Sequence, residues 1–193
     1  VSMTMAELSQ KGKVTVGTLR SGETALFVTG VADGTRAITD VLLIRGGELA
    51  NAVLSSTTGV SGESSRFRSL YPVDINNDGV TEVPRTVPLY GEEAETDAAQ
   101  RVDWLSFDAM GTASRVLSTY HAMEEGWYLQ LQSEWIDRIA VEQNGNIYTF
   151  YMWNNSYGAA VPVFTVFTLT GRDRDSQAAV QNRFALHRGE DVV

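Results

Sequence analysis

Apolar and polar residues alternate along much of the chain with the period of two that is typical of β-strands. Four strand-like segments follow one another in the N-terminal part, of which the first alternates and the second is rich in β-forming residues: Val14 to Leu19, Thr24 to Val31, Ala37 to Arg45 and Glu48 to Leu54. They are separated by pairs of turn-forming residues: Ser21-Gly22, Asp33-Gly34 and Gly46-Gly47. The pattern predicts an up-and-down meander of four strands, which is the shape of a propeller blade or of a small sheet.

Further strand-like segments follow in the middle of the chain. Phe67 to Val73 and Thr81 to Leu89 flank a polar loop, and two prolines in the second segment favour an edge strand. Arg101 to Asp108 and Arg115 to Tyr120 alternate sharply on either side of a glycine turn and predict another hairpin.

The alternating pattern breaks between Ala122 and Gly126, and a second set of elements begins there. Its predicted strands are Trp127 to Leu131, Ile139 to Glu142, Ile147 to Trp153, Val161 to Thr170 and Phe184 to His187. Its predicted helical segments are Ser133 to Arg138 and Ser176 to Asn182. The sequence therefore predicts a mainly β protein with antiparallel meander sheets, divided into a propeller-blade-like region 1–122 and a strand-rich module 123–193 with one or two short helices.

Composition excludes several classes of function. The 193 residues carry 43% hydrophobic and 20% charged residues, which is ordinary for a globular protein. A formal net charge of −9 without a basic stripe argues against a nucleic-acid partner, because such binding depends on clustered Lys and Arg. The apolar stretch Val161 to Leu169 is far shorter than the ~20 residues of a transmembrane helix. The absence of cysteine removes disulfides, thiolate metal sites and Cys nucleophiles.

One loop has the residues of a metal site. Asp74, Asn76, Asp78 and Glu82 lie at positions one, three, five and nine of the loop, with a glycine at position six. Ca²⁺ binds six to eight oxygen ligands, and this spacing can wrap side-chain oxygens around one ion while the glycine makes the sharp turn. The backbone carbonyl of Val80 would add a further ligand. Three carboxylates this close would repel one another without a cation, so the loop predicts a Ca²⁺ site; a polar turn without metal is the alternative.

The flanks of this loop decide which kind of calcium site it resembles. Position twelve is Arg85 rather than a bidentate Glu, and the flanks are strand-like, so an EF-hand is not predicted. The stretch Leu70 to Pro84 instead resembles the calcium-bearing unit of FG-GAP and VCBS-type repeats, and the meander Val14 to Leu54 looks like a preceding blade with a degenerate loop. The resemblance implies a secreted or surface protein. One good loop is too few for a closed propeller from this chain alone.

A second resemblance covers Gly126 to Arg188. The order Gly126-Trp127-Tyr128-Leu129, then Glu134-Trp135, then Ile139 to Glu142, then Tyr148 to Tyr151 is similar to a C-terminal module of secreted Gram-positive lipoproteins of unknown function. This resemblance implies a bacterial extracellular or cell-surface protein that is lipid-anchored in its full-length form.

Candidate catalytic residues are scarce. The two histidines, His121 and His187, lie in strand-like contexts without a nucleophile signature, so no catalytic residue is predicted. Two acidic pairs could in principle serve a glycoside hydrolase, Asp103 with Asp108 and Glu124 with Glu125. Aromatic residues could form a sugar-stacking surface or belong to the core: Trp104, Trp127, Trp135, Trp153, Tyr128, Tyr148 and Tyr151.

The sequence thus favours a non-enzymatic, extracytoplasmic binding or structural module that one Ca²⁺ stabilises. Its expected partner is an unidentified protein or carbohydrate ligand. A carbohydrate-active or other hydrolytic accessory protein is the alternative.

Overall fold

The computed structural model describes residues 10–31, 36–59, 61–67, 70–91, 100–154 and 158–193. These residues divide into two compact units. The described residues of Val1–Val87 and Gln100–Tyr120 form the first unit, and those of Pro88–Ala99 and His121–Val193 form the second. The predicted modules 1–122 and 123–193 stay a prediction, because compactness alone does not show that either part folds independently.

The first sheet is the predicted meander. Its strands β1 to β4 lie in sequence order: β1 Gln10–Thr18, β2 Thr24–Val31, β3 Arg36–Arg45 and β4 Glu48–Asn51. Each consecutive pair is antiparallel. A two-residue strand, β5 (Arg66–Phe67), pairs with the start of β3. The turn glycines Gly22, Gly46 and Gly47 have positive φ angles, as tight turns require, whereas the predicted Asp33-Gly34 turn lies outside the described residues.

The second sheet contains the next four strands in sequence order: β6 Val83–Pro88, β7 Gln100–Phe107, β8 Ala113–Ala122 and β9 Trp127–Leu131. β6, which carries the two prolines, is an edge strand as predicted. β7 and β8 form the predicted antiparallel hairpin. β7 is one of the two interior strands of the sheet, and every residue of it is buried.

The core of the first unit combines residues from both of these sheets. Phe27, Val41 and Leu43 from the first sheet are buried together with Val83, Leu105 and Phe107 from the second. A smaller cluster joins Leu70, Val102 and Trp104, and Ile75 packs against it. The residues that flank the predicted calcium loop therefore belong to buried clusters.

The second unit is built on a three-stranded antiparallel sheet. Its strands are β10 Ile139–Asn144, β11 Ile147–Asn154 and β12 Ala159–Phe167. The register between β11 and β12 shifts after Phe150, which marks a β-bulge. Alternate residues of β11 face the core: Tyr148 and Phe150 are buried, whereas Thr149 and Tyr151 on the other face are half-buried.

Four predicted elements differ from the structure. Phe67 to Val73 is not one strand: β5 ends at Phe67, and the buried Arg66 side chain donates from Nε to the Leu70 carbonyl at 2.7 Å. Ser133 to Arg138 forms successive turns rather than a helix, because the amides of Trp135 and Arg138 each donate to the carbonyl three residues earlier.

The last two differences lie at the C-terminal end. The predicted helix Ser176 to Asn182 is instead the short helix α1, Arg174–Ala178, and the φ of +69° at Asn182 is incompatible with a helix. Phe184 to His187 is not a strand in the structure. Phe184 and Leu186 are 88% and 86% exposed, and no described strand pairs with this segment.

The described residues thus form a mainly β fold of antiparallel meander sheets with one short α-helix, which confirms the predicted fold class. Within the described ranges, no helix has the length and apolar character that crossing a bilayer would require.

Candidate metal centre

The calcium loop, residues 74–82, is closed by main-chain hydrogen bonds at its base. Val73 and Glu82 form an isolated antiparallel bridge, in which each amide donates to the other carbonyl at 3.0 and 2.9 Å. Ile75 packs against the buried cluster around Trp104, and Val83 is fully buried in the main core. Both ends of the loop are therefore fixed by the core of the first unit.

Two residues inside the loop have left-handed backbone conformations. Asn77 has a φ of +61° and Gly79 a φ of +89°. Asparagine tolerates this region better than most residues, and glycine adopts it without steric cost. The sharp turn predicted at position six is therefore present at Gly79.

Asp74 at position one organises the loop through the main chain. Its Oδ1 accepts a hydrogen bond from the amide of Asp78 at 3.0 Å, and its Oδ2 accepts one from the amide of Gly79 at 2.8 Å. Both carboxylate oxygens are thus held on the inner side of the turn, where a carboxylate at position one must lie to reach an ion within the loop.

Asp78 and Asn76 are hydrogen-bonded to each other. Asn76 donates from Nδ2 to Asp78 Oδ2 at 2.8 Å, and Asn76 Oδ1 accepts from the Asp78 amide at 3.2 Å. Asp78 Oδ1 accepts from the amide of Val80 at 2.8 Å. The hydrogen bond from Val80, followed by that from Asn76, lowers the pKa of the Asp78 carboxyl below its ordinary value. Asp78 is therefore negatively charged at neutral pH.

Glu82 at position nine is in a different environment. Its side chain is 0% exposed, and its Oε2 accepts a hydrogen bond from the amide of Ile75 at 3.1 Å. Its Oε1 is buried without a hydrogen-bond partner. Burial raises the pKa of Glu82, and the charges of Asp78 and Asp74 raise it further. A carboxylate in this position is destabilised unless a cation approaches it.

The structure thus brings Asp74, Asn76, Asp78 and Glu82 into one hydrogen-bonded loop. The role of the Val80 carbonyl as a ligand stays a prediction. Among the described residues, no group of three or more His, Asp or Glu side chains is already arranged to hold a metal ion. In the loop the carboxylates of Asp74 and Asp78 accept from amides, which accounts for their present orientation.

The donor set nevertheless fits a hard cation. It offers carboxylate and amide oxygens, and the buried Glu82 Oε1 lacks a partner. Asp74, Asn76, Asp78 and Glu82 would hold Ca²⁺ through side-chain oxygens, and the ion would neutralise the carboxylates that now repel one another.

Sequence reasoning missed how β1 supports this loop. The amide of Thr81 donates to the carbonyl of Thr18 at 2.9 Å, so a hydrogen bond joins the end of the loop to the last residue of β1. A Cβ atom at Gly17 would lie 2.1 Å from Thr81 Oγ1, which only glycine avoids. A glycine inside a strand often marks such a close approach, so the signal was present in the sequence.

The acidic residues considered for hydrolysis have structural partners instead. Asp103 is buried; although burial alone raises its pKa, hydrogen bonds from Ser118 at 2.7 Å and Arg101 at 3.0 Å lower it overall. Asp108 Oδ1 accepts from the amides of Met110 and Thr112, both at 2.9 Å, and thereby caps a turn.

Two of the remaining candidates, Glu125 and His121, are also engaged with neighbours. Glu125 accepts a short hydrogen bond from the buried hydroxyl of Tyr148. His121 is stacked on Tyr128 with 5.3 Å between the ring centroids, and burial lowers the pKa of His121 to about 4. His187 lies in the exposed C-terminal segment.

No protein-family model matches this chain, and neither a curated protein nor a solved structure is significantly similar to it. The resemblance to FG-GAP and VCBS-type repeats therefore stays a prediction that rests on the loop residues themselves.

Proposed function

We propose that this chain is a non-catalytic, extracytoplasmic binding or structural module whose first unit is stabilised by one Ca²⁺ in the loop Asp74 to Glu82. The observation that carries the proposal is Glu82. A fully buried carboxylate with one unpartnered oxygen and a raised pKa is costly, and a bound cation removes that cost.

The other loop residues support calcium rather than a different ion. The available donors are carboxylate, amide and carbonyl oxygens, which Ca²⁺ prefers, and the chain has no cysteine to supply thiolate ligands. Calcium sites of extracellular modules bind in the range of about 10⁻⁴ to 10⁻³ M. An affinity in this range is what the proposed role, in an FG-GAP or VCBS-like protein at a bacterial surface, requires of the loop.

The ion would have a structural function at this position. It would connect the carboxylates of Asp74 and Asp78 to that of Glu82. The main chain of Glu82 is hydrogen-bonded to that of Val73 at the base of the loop. Because Val83 is part of a buried cluster and Ile75 packs against another, a rigid loop would also hold the edge of the core in place. The module could then present other surfaces to a protein or carbohydrate ligand.

The test is a calcium titration of the chelator-treated protein by calorimetry, together with its melting temperature. Binding to the folded state alone stabilises by RT ln(1 + [L]/Kd), so 10 mM Ca²⁺ over a Kd of about 10⁻³ to 10⁻⁴ M adds about 1.4 to 2.7 kcal/mol. Asp78→Ala should abolish both the heat of binding and the rise in melting temperature. Asp108→Ala is the matched control, since Asp108 is also a turn residue that accepts from main-chain amides.

The expected result is a lower melting temperature for both variants without calcium, but a calcium response in Asp108→Ala alone. If wild-type protein shows neither a binding heat nor a change in melting temperature at millimolar Ca²⁺, the loop is a polar turn and the proposal is wrong.

A further inference from the structure

The structure separates the aromatic residues into core residues and residues of an open face. Trp104 is only 3% exposed, and its indole N–H donates to Thr119 Oγ1 at 2.9 Å. Tyr151 and Trp153 are instead half-buried on the face of β11 opposite to the buried Phe150. Tyr90, which is 41% exposed, lies against Trp153 with 5.4 Å between the ring centroids. Tyr90, Tyr151 and Trp153 are called the aromatic face below.

The strand register places small residues beside two of these rings. Tyr151 lies directly opposite Ala140 on β10 and Pro162 on β12, and Trp153 lies opposite Ala160. Directly opposed residues share one face of an antiparallel sheet, so these small side chains border the two aromatic rings. These small neighbours cover little of the rings, so Tyr151 and Trp153 are half-buried rather than buried, although Trp153 also lies against Tyr90 and beside Arg138.

Main-chain hydrogen bonds hold the backbone that carries these rings, and the Tyr90 and Trp153 rings support each other by contact. The amide of Tyr90 donates to the Ile139 carbonyl at 3.1 Å, and the amide of Trp153 donates to the Arg138 carbonyl at 2.8 Å. Arg138 in turn donates from Nε and Nη2 to the Trp153 carbonyl at 3.1 and 3.0 Å. Binding to preformed rings costs less conformational entropy than binding to mobile ones.

Hydrogen-bonding groups lie among the rings. Tyr151 donates from its hydroxyl to Glu142 Oε2 at 2.9 Å, and the hydroxyls of Thr149 and Thr165 are 3.3 Å apart on the same face. A pyranose ring has an apolar face of C–H groups and a rim of hydroxyls. Flat aromatic rings beside carboxylate and hydroxyl groups match both properties.

We infer that the aromatic face binds a saccharide chain of neutral pyranose units, with Tyr151 and Trp153 stacked against sugar rings and Glu142 accepting hydrogen bonds from sugar hydroxyls. Charge selects the neutral class: the Glu142 carboxylate lies beside Tyr151, and the net charge of −9 on the chain outweighs the guanidinium of Arg138, which keeps its charge although it is hydrogen-bonded to the main chain. An anionic polysaccharide would be repelled. This inference rests on the proposed role as a binding module, but not on the calcium loop.

The experiment measures binding of neutral cello- and chito-oligosaccharides and of anionic oligogalacturonates by calorimetry. Neutral chains should bind and the anionic chain should not. Trp153→Ala and Tyr151→Ala should each weaken binding by about tenfold, the upper range for one aromatic contact. Tyr151→Phe, which keeps the ring, should retain most of the affinity. Tyr128→Ala is the matched control, because Tyr128 is 55% exposed but lies on β9, outside this sheet.

A second readout needs no variant. In the ¹H–¹⁵N spectrum of the wild-type protein, the indole signal of Trp153 should shift on addition of the saccharide. The indole signals of Trp104 and Trp127 serve as internal controls, since they donate to Thr119 and Thr168 inside the protein. Asp78→Ala should leave saccharide binding intact even though it removes the calcium response. Failure of one proposal can therefore be distinguished from failure of the other.

Three results would overturn the inference: no binding of any neutral chain with the Trp153 signal unchanged, preferential binding of the anionic chain, or a concentration-dependent dimer in sedimentation velocity that Trp153→Ala abolishes. The last result would show that a second copy of the chain covers the aromatic face.

Discussion

The calcium loop of the first unit and the aromatic face of the second are assembled over different lengths of chain. In the loop, the side-chain oxygens accept hydrogen bonds from main-chain amides two to seven residues away. In the aromatic face, Tyr90 meets Trp153 from a distant part of the sequence, and Ala140 and Pro162 come from two other strands. The first arrangement is encoded in one short motif, whereas the second depends on the register of a sheet.

Burial also has a different effect in each of the two regions. In the loop, burial acts on a charged group, Glu82, and makes the metal-free state costly. In the second unit, burial acts on Phe150 and Tyr148, which stabilise the sheet that carries the aromatic face. Removing a buried group should therefore have opposite effects in the two regions.

The largest effect is expected for Phe150→Ala in the second unit. Phe150 is fully buried and stacked on Phe164 at 4.5 Å, so its truncation leaves a cavity and should cost about 3 to 5 kcal/mol of unfolding free energy. Urea unfolding followed by tryptophan fluorescence measures this cost. Thr149→Ala, the neighbouring residue on the other face, should cost about 1 kcal/mol. Equal costs for the two variants would contradict the assignment of inner and outer faces.

A smaller effect of the opposite sign is expected for Glu82→Gln. In the calcium-free protein this change removes the buried charge but leaves the new amide N–H groups without a partner, so at neutral pH it should stabilise by about 1 kcal/mol in urea unfolding. It should also weaken calcium binding. Glu63→Gln is the control, because Glu63 forms an exposed ion pair with Arg85.

The pH dependence gives an additional check on Glu82. Its pKa is raised in the folded state, so the folded protein holds this proton more tightly than the unfolded chain does. The calcium-free wild type should lose stability as pH rises from the ordinary glutamate value of 4.5 through the raised pKa, and Glu82→Gln should remove that loss. A Glu82→Gln protein less stable than the calcium-free wild type at neutral pH would contradict the cost assigned to this charge.

The smallest effect is expected for His121 in the second unit, where the pH dependence has the reverse slope. Burial lowers the pKa of His121 from 6.5 to about 4, so its stabilising contribution is present above pH 6.5 and is lost as pH falls toward 4. After screening at this partly exposed position, the loss should be on the order of 1 kcal/mol. His121→Gln should flatten this slope in thermal melts between these pH values, and His187→Gln is the control. An unchanged slope in His121→Gln would assign the titration to another group.

Much of the fold could be predicted from alternation and turn residues. The four strands of the first meander, the β7–β8 hairpin and the paired strands β10 and β11 all follow from local pattern, because side-chain period and turn conformation are local properties. The segment Phe184 to His187 has the same local pattern but no described strand beside it. A strand requires hydrogen bonds from a neighbour, and local pattern does not provide one.

The sequence by itself determined the loop: the order of Asp74, Asn76, Asp78, Gly79 and Glu82 places oxygen ligands and a left-handed turn within one short segment. Only the tertiary structure decided that Glu82 is buried with an unpartnered oxygen, that Gly17 must be glycine, and that Tyr151 and Trp153 remain accessible. The physical reason is that burial depends on residues brought together by sheet packing and register; a one-residue shift of register on β11, for example, would turn Tyr151 and Trp153 to the opposite face.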